Sequence, residues 1–162
     1  MVLCLLAGGL GEAVEPQVSS AGFDKMRTLV GIWKLRNAQT PNAAAFRISY
    51  RMISRDTAIV ETFGDPAKQT TETIYHRDGQ HLMATHYCAQ GNQPRLRLQE
   101  SNTTAKTLVF IFFDATNLAS ERDSHLVRLR FDFVDAEHLK REEVYSQGGT
   151  EESSVVNLER TR

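Results

Sequence analysis

From Gly31-x-Trp33 to the carboxyl end, the chain is one run of short alternating strand patterns joined by turn residues, with one short helical pattern ahead of it. That layout predicts an all-β fold, an antiparallel barrel of about ten strands with one short amino-terminal helix. Such a barrel has an interior, which holds either packed side chains or one small ligand. The expected strands are Ile32 to Leu35, Ala45 to Ile53, Thr57 to Phe63, Thr71 to Arg77, His81 to Cys88, Arg95 to Gln99, Thr107 to Phe113, Leu126 to Val134, Leu139 to Tyr145 and Ser153 to Leu158. Asp78-Gly79 is the strongest hairpin signal, because both residues tolerate the positive φ of a two-residue turn. Phe23, Met26, Leu29 and Val30 share one helical face and Gly31 is a natural stop, so a helix over Phe23 to Val30 is expected to cap one end. A cone of several helices on a curved sheet is disfavoured, since only one helical pattern is present.

The 162 residues, 41% hydrophobic and 24% charged, suffice for one domain with a substantial core. A formal net charge of -1 gives no basic footprint for a phosphate backbone, so nucleic acid is not an expected partner. Residues 1–13 read as a signal peptide: Val2 to Ala7 is apolar and Gly11-x-Ala13 offers small residues for cleavage, although no Lys or Arg precedes the apolar stretch. Residues 14–162 are then a single barrel domain, exported to a periplasm or the exterior. The apolar stretch is too short to cross a bilayer. Of the two cysteines, Cys4 falls in the leader and Cys88 remains alone, so the mature chain has no internal disulfide.

The short helix, Gly31-x-Trp33 at the first strand and the strands that follow resemble the calycin superfamily of lipocalins, fatty-acid-binding proteins and nitrobindin-like barrels. In that family the Trp closes the barrel floor and often meets an Arg from the last strand; Trp33 matches the first position, and Arg160 is the candidate for the second. Thr85-His86-Tyr87-Cys88 followed by Gly91-Asn92-Gln93-Pro94-Arg95 is similar to a segment in bacterial calycin-like proteins of unknown function. The resemblance implies a small ligand inside the barrel.

The segment around His86 concentrates polar, aromatic and thiol groups. Parity puts His86 and Cys88 on one face with Leu82 and Ala84, and Thr85 and Tyr87 on the other with Met83. The inward face is expected to be that of His86, with Asn92, Gln93 and Arg95 near the mouth and Tyr75 facing Leu82 across the hairpin. The ligand-binding candidates are therefore His86, Tyr75, Tyr87, Asn92, Gln93 and Arg95. The plainer reading is that these groups satisfy one another at a barrel rim. A Cys-His nucleophile is disfavoured, because His86 and Cys88 stand parallel on one strand, roughly 6.5 to 7 Å apart at the alpha carbons. His76, His81, His86 and Cys88 do not converge as metal ligands, and no His follows His138 to hold haem as in the nitrobindin-like pattern. No cofactor, metal or catalytic residue is expected.

In the strand Leu139 to Tyr145, Arg141 and Glu143 alternate with Lys140 and Glu142. A solvent-facing charged set is the favoured reading, over a polar interior like that of a fatty-acid-binding protein, since the Arg-x-Tyr pattern of that family is absent. Leu108 to Phe113 is apolar on both faces, so the amino-terminal helix or a second copy should cover it. The chain is thus expected to bind a small apolar or amphipathic molecule. The alternatives are an enzyme using His86, Tyr87 or Tyr75 as acid-base groups, or a structural protein that pairs, as a homodimer, through Leu108 to Phe113.

Overall fold

The computed structural model describes residues 18–65, 68 and 71–161. Ten strands close into an antiparallel barrel: β1 Gly31–Leu35, β2 Arg47–Ile53, β3 Ala58–Gly64, β4 Thr71–Asp78, β5 His81–Tyr87, β6 Gln93–Leu98, β7 Thr107–Thr116, β8 His125–Phe133, β9 His138–Gln147 and β10 Thr150–Arg160. Each strand pairs with its neighbours in sequence and β1 pairs with β10, so no edge strand is left over among them. The predicted leader, residues 1–13, lies outside the described residues. No helix among the described residues is long and apolar enough to cross a membrane.

The helix α1 spans Val18–Arg27, earlier in the chain than Phe23 to Val30. Phe23, Met26 and Leu29 are buried, whereas Val30 is exposed because the helix has already ended. The helix plugs one end of the barrel, against β4 and β5. Its approach is close at Gly22: a Cβ there would stand 2.8 Å from Leu98 Cδ2 and 3.2 Å from Leu82 Cδ2. Burying each large apolar side chain of this plug contributes about 1.5–3 kcal/mol. Trp33 is buried beside it and donates from Nε1 to the Leu29 carbonyl at 2.8 Å.

The Arg160 guanidinium lies 4.3 Å from the Trp33 ring centroid, across the Trp33–Arg160 register pair. It also donates to the carbonyls of Val30 (2.8 Å) and Thr28 (2.6 Å), just past the end of α1. One residue thus stacks on the floor and satisfies carbonyls that a helix end leaves without partners. Above it, Tyr75, Phe110 and Phe131 pack edge-to-face or tilted, with centroids 5.6–6.1 Å apart, and fill the middle of the barrel.

Two details of register and one element boundary differ from the sequence expectation. The β4–β5 turn is Gly79-Gln80, with Gly79 at φ 56, so Asp78 pairs with His81 and Tyr75 with Ala84 instead of Leu82. The offset is two residues along the ladder, so every side chain keeps its expected face. A bulge between Leu126 and Arg128 brings Leu126 onto the inner face with Leu129, Phe131 and Phe133. Ala45 belongs to a short helix, α2 Pro41–Ala45, capped by the Thr40 hydroxyl, and not to β2.

The outer face of β7 is not covered by α1, which sits at the barrel end. Ile111 and Phe113 remain exposed, with the Arg97 guanidinium 3.9 Å from the Phe113 ring centroid.

Candidate functional site

At the end opposite α1, the inner faces of the strands turn polar. Glu61 on β3, Thr73 on β4, His86 on β5 and Arg141 and Glu143 on β9 are all buried there. Arg141 and Glu143 were expected in solvent; they face inward because Leu139 and Tyr145, on the same face of β9, are needed in the core and at the mouth. Arg130 and Asp132 on β8 do form an outer-face pair.

Arg141 organises the cluster. Its guanidinium donates from Nη2 to Glu61 Oε1 at 2.6 Å and from Nε to Glu61 Oε2 at 3.3 Å, and Nη1 lies 2.9 Å from Glu143 Oε1. Phe63 and Phe131 flank it at 4.8 and 5.7 Å from their centroids. Burial opposes its charge, but the carboxylates of Glu143 and Glu61 prevail and hold its pKa well above the usual arginine value. Tyr75 donates its hydroxyl to Glu61 Oε2 at 2.9 Å. The Tyr50 hydroxyl is buried against the same ion pair, within reach of Glu61 and Arg141. Burial and the neighbouring Glu61 raise the pKa of both tyrosines, so each stays a neutral phenol.

Next to this cluster runs a second set of contacts. Thr73 Oγ1 lies 2.9 Å from His86 Nδ1, and Tyr145 Oη lies 3.0 Å from His86 Nε2. In a neutral imidazole one ring nitrogen donates and the other accepts, so both contacts are satisfied without charge. Burial lowers the His86 pKa to about 4, which keeps the ring neutral near pH 7. Such a ring orients a hydrogen bond well and is a weak base. Tyr145 is likewise held neutral, its pKa raised by burial and by Glu143 and Cys88. The Cys88 thiol points to Gln90 Oε1 and lies 3.9 Å from Tyr145 Oη, so it makes no pair with His86.

Tyr145 lines an open pocket of about 530 Å³ together with Gln90, Ser124, Gln147, Thr150, Glu152, Ser153 and Ser154. Glu152 and Ser154 stand opposite Tyr145 and Glu143 in the β9–β10 ladder, so they share the inner face and extend it into the mouth. Glu143, 9% exposed, belongs to the buried cluster and stands across the ladder from Ser154 of the pocket wall.

The sequence candidates divide between these surroundings. His86 is in the inner network and Tyr75 lies beneath it, fully buried on Glu61. Asn92 is buried next to the mouth and donates from Nδ2 to the Ser124 carbonyl at 2.8 Å. Tyr87, Gln93 and Arg95 were expected near a ligand, but strand parity turns them outward. Tyr87 is 48% exposed, Gln93 bonds Gly91 and Thr116, and Arg95 pairs with Asp114. Glu61 was missed, although it stands alone between Ile59 and Phe63 on an apolar face, which is the signal of a buried charge.

Fold and site together define a closed ten-strand barrel with a packed lower half, a charged upper interior and an open polar mouth. No protein-family model matches the chain, and no curated protein sequence matches it.

Proposed function

We propose that this protein is an exported, calycin-like barrel that binds a small amphipathic molecule at its open mouth, with Tyr145 and Asn92 supplying hydrogen bonds and His86 holding the Tyr145 hydroxyl in place. The observation that supports it is the buried Glu61–Arg141–Glu143 cluster beneath a pocket of about 530 Å³. Well-packed apolar residues generally stabilise a core as well as a buried ion pair does, or better, so stability alone does not call for this cluster. Ligand pockets are commonly a few hundred Å³ with a small number of placed polar groups, as here. A wholly apolar ligand suits the site less, because the aromatic rings below pack against one another. Export through cleavage of residues 1–13 belongs to the same reading, and amino-terminal sequencing of protein from its native host checks it.

Native mass spectrometry of protein purified from that host tests the binding. The expected result is a bound small molecule in the parent and reduced occupancy in a folded His86→Ala variant. If the parent carries nothing and His86→Ala unfolds, His86 is a core hydrogen-bonding residue and the structural reading replaces this one.

A further inference from the structure

Resting on that reading of the mouth, we infer that the ligand carries a cationic nitrogen, an ammonium group held by Glu143 from within and by Glu152 at the rim. The arrangement of charge leads there. Arg141, the natural partner for a ligand carboxylate, is already engaged by Glu61 Oε1, Glu61 Oε2 and Glu143 Oε1. An entering carboxylate would have to displace Glu143 and then sit against two like charges, an arrangement that costs far more than it returns in a buried site. Counted formally, two carboxylates face one guanidinium, which leaves one negative charge for a ligand cation to balance.

The rim carries the same preference. Among the pocket-lining residues Glu152 alone is charged. Arg122, also at this end, turns its guanidinium to the Gly148 carbonyl at 3.4 Å and does not line the pocket.

One buried polar atom provides an independent indication. Asn92 Oδ1 is buried without a hydrogen-bond partner while its Nδ2 is fixed on Ser124, a residue of the pocket wall. Asn92 Oδ1 is an acceptor and wants a donor, of which an ammonium group has several and a carboxylate has none. An unsatisfied buried acceptor is costly in the empty protein, so a donor-bearing ligand recovers that cost on binding.

Calorimetric titration of the full chain near pH 7 with hexylamine, hexanoate and hexanol separates the alternatives, since the three probes share one apolar tail. Hexylamine is expected to bind at least about tenfold more tightly than either of the others, as befits a charge-assisted hydrogen bond. Glu143→Gln should abolish that preference. Glu152→Gln, at an exposed rim position that bears no core contact, should reduce it and make it less sensitive to salt. Hexanoate or hexanol binding as tightly as hexylamine, or a preference unchanged in folded Glu152→Gln and Glu143→Gln, overturns the cation assignment and leaves mouth binding standing. Failure of all three probes to bind overturns both.

Discussion

At the scale of single residues, His86 is held by opposing influences: desolvation and the Arg141 charge disfavour its protonated form, the Glu143 carboxylate favours it, and desolvation prevails. With a folded pKa of about 4 against an ordinary value of 6.5, the unfolded chain binds the proton more readily between those limits. Stability from this residue is therefore complete above about pH 6.5, declines as the pH falls and is lost by about pH 4. The shift corresponds to about 3 kcal/mol. Urea unfolding of the parent and of His86→Gln at pH 7 and at pH 4 should show the parent losing that much more stability than the variant. Equal losses in both proteins would mean that His86 titrates normally and is not buried as described. Residue identity was partly legible beforehand: Trp33 and Arg160 meet as the sequence suggested, because Gly31-x-Trp33 and a terminal Arg fix both partners. Arg141 and Glu143 were not, because both faces of β9 carry charge and neither is apolar enough to identify the inside.

Among elements, strands were easier to recognise than their boundaries. Alternation and turn residues mark ten strands, but β10 runs from Thr150 where the pattern starts at Ser153, since Glu151 and Glu152 read as a loop and are in fact exposed ladder positions. The bulge at Leu126/Arg128 reassigns one leucine, which no count of alternating residues reveals. The helix α1 depends on Arg160 in a way invisible to local pattern, since the residue that closes its final turn comes from the opposite end of the chain. Arg160→Ala should remove that closure along with the stacking on Trp33, and lower unfolding stability by about 2–3 kcal/mol. Denaturant unfolding measures this, and Trp33 fluorescence should shift to the red as water reaches the indole. A variant as stable as the parent with unchanged emission would show that α1 docks through its apolar face alone.

For the whole molecule, the two ends of the barrel do different work. One end is stoppered by Phe23, Met26, Leu29 and Trp33; the other sets the Glu61–Arg141–Glu143 cluster under a pocket open to solvent. Barrel closure was legible because the strand patterns follow one another without interruption, which leaves antiparallel neighbours as the simplest pairing. The charged interior was not, since it depends on which way each strand turns at closure. A second groove, of about 490 Å³ by Lys25, Trp33, Phe133 and Arg160, lies at the stoppered end and offers a built-in control. Amide chemical-shift mapping of the full chain, titrated in turn with hexylamine, hexanol and hexanoate, measures directly which end takes a ligand. The account predicts saturable shifts at Gln90, Ser124, Tyr145, Gln147 and Glu152, largest with hexylamine, and none around Trp33. Shifts confined to the Trp33 end, or no saturable shift with any of the three, would contradict it.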